Sequence, residues 1–360
     1  LKLPASLRPK PWGSRDLSPI FAAQPEQIGE AWYSFEENTV ANGAFAGRTL
    51  GELVEELGTR LMGNSYRPSG LRRRAAGEVA QGADLKPKPY FPILSKLLFT
   101  SQHLSVQVHP DDAYAMVHEH GPGKTEMWYI VDAEPDARLV LGLTRTMARD
   151  ELCRAAAGGE IEQSLNWVPV KKGQTFFVSP GTLHTIGAGL VLCEIQQNSD
   201  LTYRFYDFGR LDENGNPREL HIEKAAAVTR QAPHPGALEP FRFPNQPEKA
   251  ADRELLAACS YFATERLSWQ GTVRYEPDPA RFHLLIFLEG RGQLRGDSWD
   301  DAAYQPGDAY LIPAACAPFG LEAAEPTVAI RSYVPDLAKL RQELQDAGAS
   351  HEPCERLVMD

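Results

Sequence analysis

The sequence predicts a mainly β protein built from two jelly-roll β-barrels, with helices added to the N-terminal part. Three observations carry this prediction. Residues 105–208 hold short segments rich in β-branched and aromatic residues, separated by Gly, Pro or Asp clusters. A second block of the same character spans residues 254–334. Between them, APHPGALEPFRFPNQPEK is Pro-rich and lacks periodicity, as a linker does. The expected division is a first domain of residues 1–230, a linker of 231–252 and a second domain of 253–360. The chain of 360 residues, 42% of them hydrophobic, is long enough for two cores.

The elements follow in order. IGEAWYSFEENTV is expected as a strand. TLGELVEELGTRLMG is expected as a helix: Thr49 and Glu52 have capping-box spacing, and Leu50, Leu53, Leu57 and Leu61 recur at helical intervals. Arg72, Arg73 and Arg74 form a basic run assigned to a solvated helix face. In LKPKPYFPILSKLLF the prolines bar a helix before Ile93, so an extended edge segment should lead into a strand. LSVQVHPDDAY alternates as a strand and breaks at Pro110, after which Asp111 and Asp112 should cap the short helix DAYAMVHEH. EMWYIV, ARLVLGL, QTFFVSP and GLVLCEIQQ are further strands; RDELCRAAAGGEIEQSL is a helical insert and HIEKAAAVTR a short helix. In the second block FHLLIFLEGRGQLRG and YQPGDAYLIPAACAPFG are expected as hairpin-like units, and PDLAKLRQELQDAG as a terminal helix.

Composition narrows the partners. The net charge of −11 argues against nucleic acid. It leaves room for an anionic small molecule held by a few local cations. No apolar run approaches the ~20 residues of a membrane helix. LKLPASLRPKPWGSRDL has no apolar core of signal-peptide length. Five cysteines with no C-x-x-C spacing suit reduced thiols better than a disulfide framework, so a cytoplasmic location is expected. Monomer and homodimer both stay open.

Side chains two apart on a strand share a face. Gln107 and His109 form one such pair, Lys124 and Glu126 a second, and Glu194 and Gln196 a third; His184 follows a Pro-Gly turn. Facing into a barrel, these strands would gather two imidazoles, a carboxylate and an amide oxygen beside Lys124. Unpaired, such groups cost several kcal/mol each on the order of a buried unsatisfied polar group. A divalent metal removes that cost. The set suits four-coordinate zinc with a position left for water or substrate, and iron, manganese or cobalt would also fit. His103, His118, His120, His221 and His283 are assigned no metal role. Arg204, taken alone, reads as an ion-pair partner of Asp207 or Asp200 at a strand end.

Together, SVQVHPDD, GKTEMWYIV, PGTLHTIGAG and EIQQNSDLTYRFYDFGR resemble the cupin-type mannose-6-phosphate isomerases, most closely the short bacterial form. The resemblance runs from KPWG to HIEKA and continues more loosely through the second block. It implies two cupin barrels and a metal-dependent aldose–ketose isomerase acting on a sugar phosphate through an enediol or enediolate. It implies Gln107, His109, Glu126 and His184 as ligands of one divalent ion, zinc foremost. Arg204, Lys124 and Asp200 take catalytic positions, and Lys96 and Glu194 substrate-binding ones. Whether Asp200, Glu194 or a metal-bound water moves the proton is left open. In the second block GDAYLIPAACAPFG lacks the expected histidine, so that barrel is expected to be metal-free. The alternatives are a non-catalytic sugar-phosphate-binding metal cupin and a cupin oxygenase. Arg204 and Lys124 argue against the first, the Gln ligand and the KTE motif against the second.

Overall fold

The computed structural model describes residues 1–65, 90–211, 215–244, 251–297 and 299–359. The first β-rich block forms two antiparallel sheets. One has six strands in the order Ser6–Ser14, Ile28–Trp32, Ile93–Thr100, Leu190–Gln197, Glu126–Ala133, Thr175–Val178. The other has five: Tyr203–Tyr206, Val106–Val108, His184–Ile186, Arg138–Leu143, Leu165–Pro169.

Strand alternation sorts the side chains into separate cores. Leu98, Ile130, Phe176 and Leu192 of the six-stranded sheet cluster with Leu139, Leu141 and Ile186 of the five-stranded sheet. Their neighbours Leu97, Phe99, Met127, Tyr129, Cys193 and Ile195 join another cluster on the opposite face. Behind the five-stranded sheet, Val106, Val108, Val140, Tyr203 and Phe205 pack on helices Arg149–Gly158 and Ile222–Val228. Each fully buried Leu, Ile or Phe contributes roughly 1.5–3 kcal/mol by leaving water. These layers therefore hold the polar interior positions in place.

The second block is one nine-stranded sheet dominated by two long paired strands, Ala263–Tyr275 and Phe319–Tyr333. Their register shifts between Trp269 and Gly271, and Gly271 has φ of 72°, a bulge that bends the pair. The chain's first strand, Lys2–Leu3, belongs to this sheet through Tyr310 and Ala309. The two blocks share a core: Met127, Phe177 and Ile195 of the first cluster with Leu284, Ile286 and Ile330 of the second.

Several elements differ in detail from the sequence expectation. The helix with the capping box ends at Leu57, and a separate turn of helix covers Thr59–Met62. Gly58 between them has φ of 49°, outside helical geometry. The expected hairpin units are not hairpins. His283–Glu289 and Gly292–Gly296 lie one after the other along Phe319–Tyr333, while Trp299–Tyr304 pairs with Gly292–Gly296 and Ala309–Ile312 with His283–Glu289. The long strand offers both short ones an edge, and that tertiary pairing overrides the local turn signal. A further helix, His351–Leu357, follows the expected terminal helix, observed as Leu337–Asp346. Asp111 caps the helix Asp112–Glu119 by accepting from Tyr114 N at 2.9 Å, but Asp112 is no cap. Its carboxylate accepts from Gly123 N, Gln197 Nε2 and Tyr261 Oη at 2.8, 3.0 and 2.8 Å. The Arg72–Arg74 run lies outside the described residues.

Candidate metal centre and active site

Two rows of side chains face each other between the sheets of the first block. Across the six-stranded sheet the register aligns Trp32, Lys96, Glu194 and Trp128, with Gln196 opposite Glu126 one pair further on. Across the five-stranded sheet it aligns Arg204, Gln107 and His184. Residues in register share a face, so both rows point the same way as the apolar core beside them. His109 sits just beyond the end of its strand, where Pro110 cannot continue the ladder.

The rows converge on Glu126. His184 Nε2 lies 3.3 Å from Glu126 Oε1, and His109 Nε2 lies 3.7 Å from it. All three residues are at most 1% exposed. Each imidazole donates its Nδ1–H to a backbone carbonyl: His109 to Leu201 O at 2.8 Å, His184 to Thr182 O at 2.9 Å. Those bonds set the tautomer and leave both Nε2 lone pairs aimed inward. The Gln107 amide reaches to 3.3 Å from His184 Nε2. Turning that amide over places its oxygen in the same spot. His109 Nε2 and both Glu126 oxygens are buried without a hydrogen bond. Buried polar atoms are otherwise nearly always satisfied, so the donor set fits a metal ion. The geometry therefore brings together all four expected ligands.

The cations crowd the same space. Lys124 Nζ is 2.5 Å from Glu126 Oε2 and 3.7 Å from Glu194 Oε1. Lys96 Nζ is 3.2 Å from Glu194 Oε2. Gly123 fixes the approach of Lys124: a Cβ at Gly123 would lie 2.5 Å from the carbonyl of Pro110. The KTE turn can thus press against the turn after His109.

Known proteins resemble this chain in sequence and fold. The chain is 34% identical over 319 residues to mannose-6-phosphate isomerase ManA of Bacillus subtilis, covering 86% of this chain and 92% of that protein. It is 33% identical over 319 residues to the mannose-6-phosphate isomerase of Streptococcus mutans, covering 87% and 92%. The chain belongs to the mannose-6-phosphate isomerase family. No family model matches it. The crystal structure of mannose 6-phosphate isomerase from Bacillus subtilis superposes with a TM-score of 0.77 at 31% identity, covering 92% of this chain and 98% of that one. A putative mannosephosphate isomerase from Archaeoglobus fulgidus, at 22% identity and a TM-score of 0.67, shares the fold.

Within this family member the electrostatics follow from burial. Desolvation drives the pKa of His109 well below its usual value and that of His184 to about 4, so both imidazoles are neutral ligand forms near pH 7. Burial also pushes the Glu126 carboxyl above its usual value, against the pull of the Lys124 ammonium. Burial opposes ionisation of Glu194 too, but Lys124 and Lys96 outweigh it and hold that carboxyl well below the usual range. Burial opposes the charge on Lys124, but Glu126 and Glu194 outweigh it and raise its pKa.

The remaining expected residues lie at the rim. Arg204 is on the edge strand Tyr203–Tyr206 and donates from NH1 to Glu219 O at 2.8 Å. Asp200 is exposed, one residue before the Leu201 carbonyl that holds His109. Trp32 and Glu30 were absent from the sequence expectation. Lys96 Nζ lies 4.6 Å from the centre of the Trp32 ring, and Trp32 Nε1 donates to Glu30 Oε2 at 3.0 Å. Trp128 Nε1 likewise reaches Glu194 Oε1 at 3.3 Å. The signal available was the even spacing of Glu30 and Trp32 in GEAW, the same parity logic that placed Lys124 with Glu126. His221, assigned no role, accepts from Arg204 N through Nδ1 at 3.1 Å.

Proposed function

We propose that this chain interconverts mannose 6-phosphate and fructose 6-phosphate as a metal-dependent aldose–ketose isomerase. The observation that carries the reading is the convergence of His109, Glu126 and His184 donor atoms within 4.8 Å of one another, buried and unsatisfied, beside two lysines. Gln107, His109, Glu126 and His184 would hold one divalent ion per chain, and two neutral imidazoles with two oxygens suit zinc. When bound, that ion supplies stabilisation of negative charge developing on the sugar oxygens.

The chain's own groups do the rest. Arg204 presents a planar fork to the phosphate or to the enediolate oxygens. Lys124 adds a point charge beside the reacting carbons, and Lys96 and Glu194 bind sugar hydroxyls. Glu194, held ionised by two lysines, is a weak base. The exposed Asp200 is therefore assigned to take the proton from the carbon next to the carbonyl and return it to the neighbouring carbon. Residues 1–230 carry this chemistry in the cytoplasm, and residues 253–360 buttress it. The neighbours named for mannose 6-phosphate support the substrate.

The test is metal content and isomerisation in a coupled assay, before and after chelation. Turnover that is lost on chelation and restored by zinc is expected. A fully metallated protein that does not turn over mannose 6-phosphate would favour the binding-only alternative.

A further inference from the structure

Arg204 lies three residues before a buried carboxylate, Asp207, and does not pair with it. Asp207 is already taken. Arg218 grips it with two parallel bonds, Nε to Oδ2 at 2.7 Å and NH2 to Oδ1 at 2.5 Å. Arg210 NH1 stands 3.6 Å from the same Oδ1. Arg204 uses one N–H on the Glu219 carbonyl, its Nε is buried without a partner, and among the described residues it forms no ion pair. The segment after Arg218 is fastened to the Arg204 strand at the backbone too: His221 N donates to Arg204 O at 2.7 Å.

We propose that Arg218 is a positioning residue for Arg204: by holding Asp207 in a two-point pair, it withholds that carboxylate from Arg204 and leaves the Arg204 guanidinium open to an anionic group of the substrate. The inference rests on the reading above that Arg204 meets the phosphate or the enediolate. The physical reason is competition. A bidentate guanidinium–carboxylate pair is stronger than a single contact, so the arginine with the better approach keeps the carboxylate. Three arginines around one aspartate leave excess positive charge at the rim, where an anion arrives. Burial and then the Arg218 charge lower the Arg204 pKa, and the attraction of Asp207 and Glu219 does not offset them.

If Arg218 only braced its loop, removing Asp207 as well would do further harm. If it withholds Asp207, removing both restores an open Arg204. The experiment compares kcat, KM and metal content for Arg218→Ala, Asp207→Asn and the double variant, with Arg204→Ala alongside. Arg218→Ala should lose about tenfold or more in kcat/KM with its metal retained. The double variant should regain about threefold or more of that loss. Wild-type kcat/KM in Arg218→Ala, or a double variant no better than the single, overturns the inference. Full turnover by Arg204→Ala instead overturns the reading of Arg204 itself. If Arg218→Ala does not fold, Arg218→Lys keeps the charge without the fork and gives the same comparison with Asp207→Asn.

Discussion

Glu126 in the first block and Glu265 in the second are both fully buried carboxylates on inward-facing strand positions. Glu265 is saturated. It accepts from Arg253 NH2 at 2.5 Å, Arg331 Nε at 2.8 Å and Tyr333 Oη at 2.7 Å. Those two guanidiniums overcome the burial that opposes its ionisation and hold its pKa well below the usual range. Beside it, His283 Nδ1 meets Tyr275 Oη at 2.9 Å. Glu126 has one ammonium and two imidazole nitrogens that present lone pairs. The first arrangement is complete within the protein, and the second is complete only with a ligand. The two β-rich blocks thus separate structure from chemistry by how their buried charges are satisfied.

Variants can break or sharpen that contrast. The largest effect is expected from Glu265→Ala, which leaves two buried guanidiniums short of a counter-charge and should cost about 3–5 kcal/mol of stability. Chemical denaturation measures it, and metal content should stay at the wild-type level. The depressed pKa of Glu265 gives the pH dependence a sign. Its contribution is present above the ordinary carboxyl value of 4.5 and fades as pH falls below it. His283, kept neutral chiefly by burial, adds a loss in the same direction, beginning as pH falls through its ordinary 6.5. Stability that did not fall in acid would remove the structural reading of this cluster.

His184→Ala should lose bound metal and turnover together, by more than about a hundredfold, since even the loss of an outer hydrogen-bond partner costs ten- to a hundredfold. Elemental analysis and the coupled assay read both quantities. Metal retained at wild-type affinity would mean that the three-residue convergence is not the metal site. Arg204→Ala should lower kcat/KM by about ten- to a hundredfold while metal content is unchanged. The smallest effect is Tyr333→Phe, which removes one of Glu265's donors and should cost about 1–2 kcal/mol with no change in KM. A change in KM would tie the second block to the substrate.

Much of the site was legible because β-strands have a period of two. That rule alone put Gln107 with His109, Lys124 with Glu126 and Glu194 with Gln196. The Gly-Lys-Thr-Glu turn and the Pro110 break marked where the strands stop. The rule applied equally to Glu30 and Trp32, but nothing local shows that their strand lies next to the one carrying Lys96. Asp112 looked like a helix cap because helix starts are local, whereas its three donors come from Gly123, Gln197 and Tyr261. The hairpin expectation failed for a similar reason: a 15-residue strand accepted both short strands along one edge.

The sequence by itself determined the mainly β character, the capping box at Thr49, the same-face pairs at the candidate site and the family. Each of these depends on residues close together in the chain or on a motif that recurs intact. Only the tertiary structure decided which charges meet. Arg204 and Asp207 are three apart and suggest an ion pair, yet Arg218, eleven residues after Asp207, takes the carboxylate through a returning loop. Counter-ions are chosen by distance and desolvation in three dimensions, and neither is written in the spacing of a linear chain.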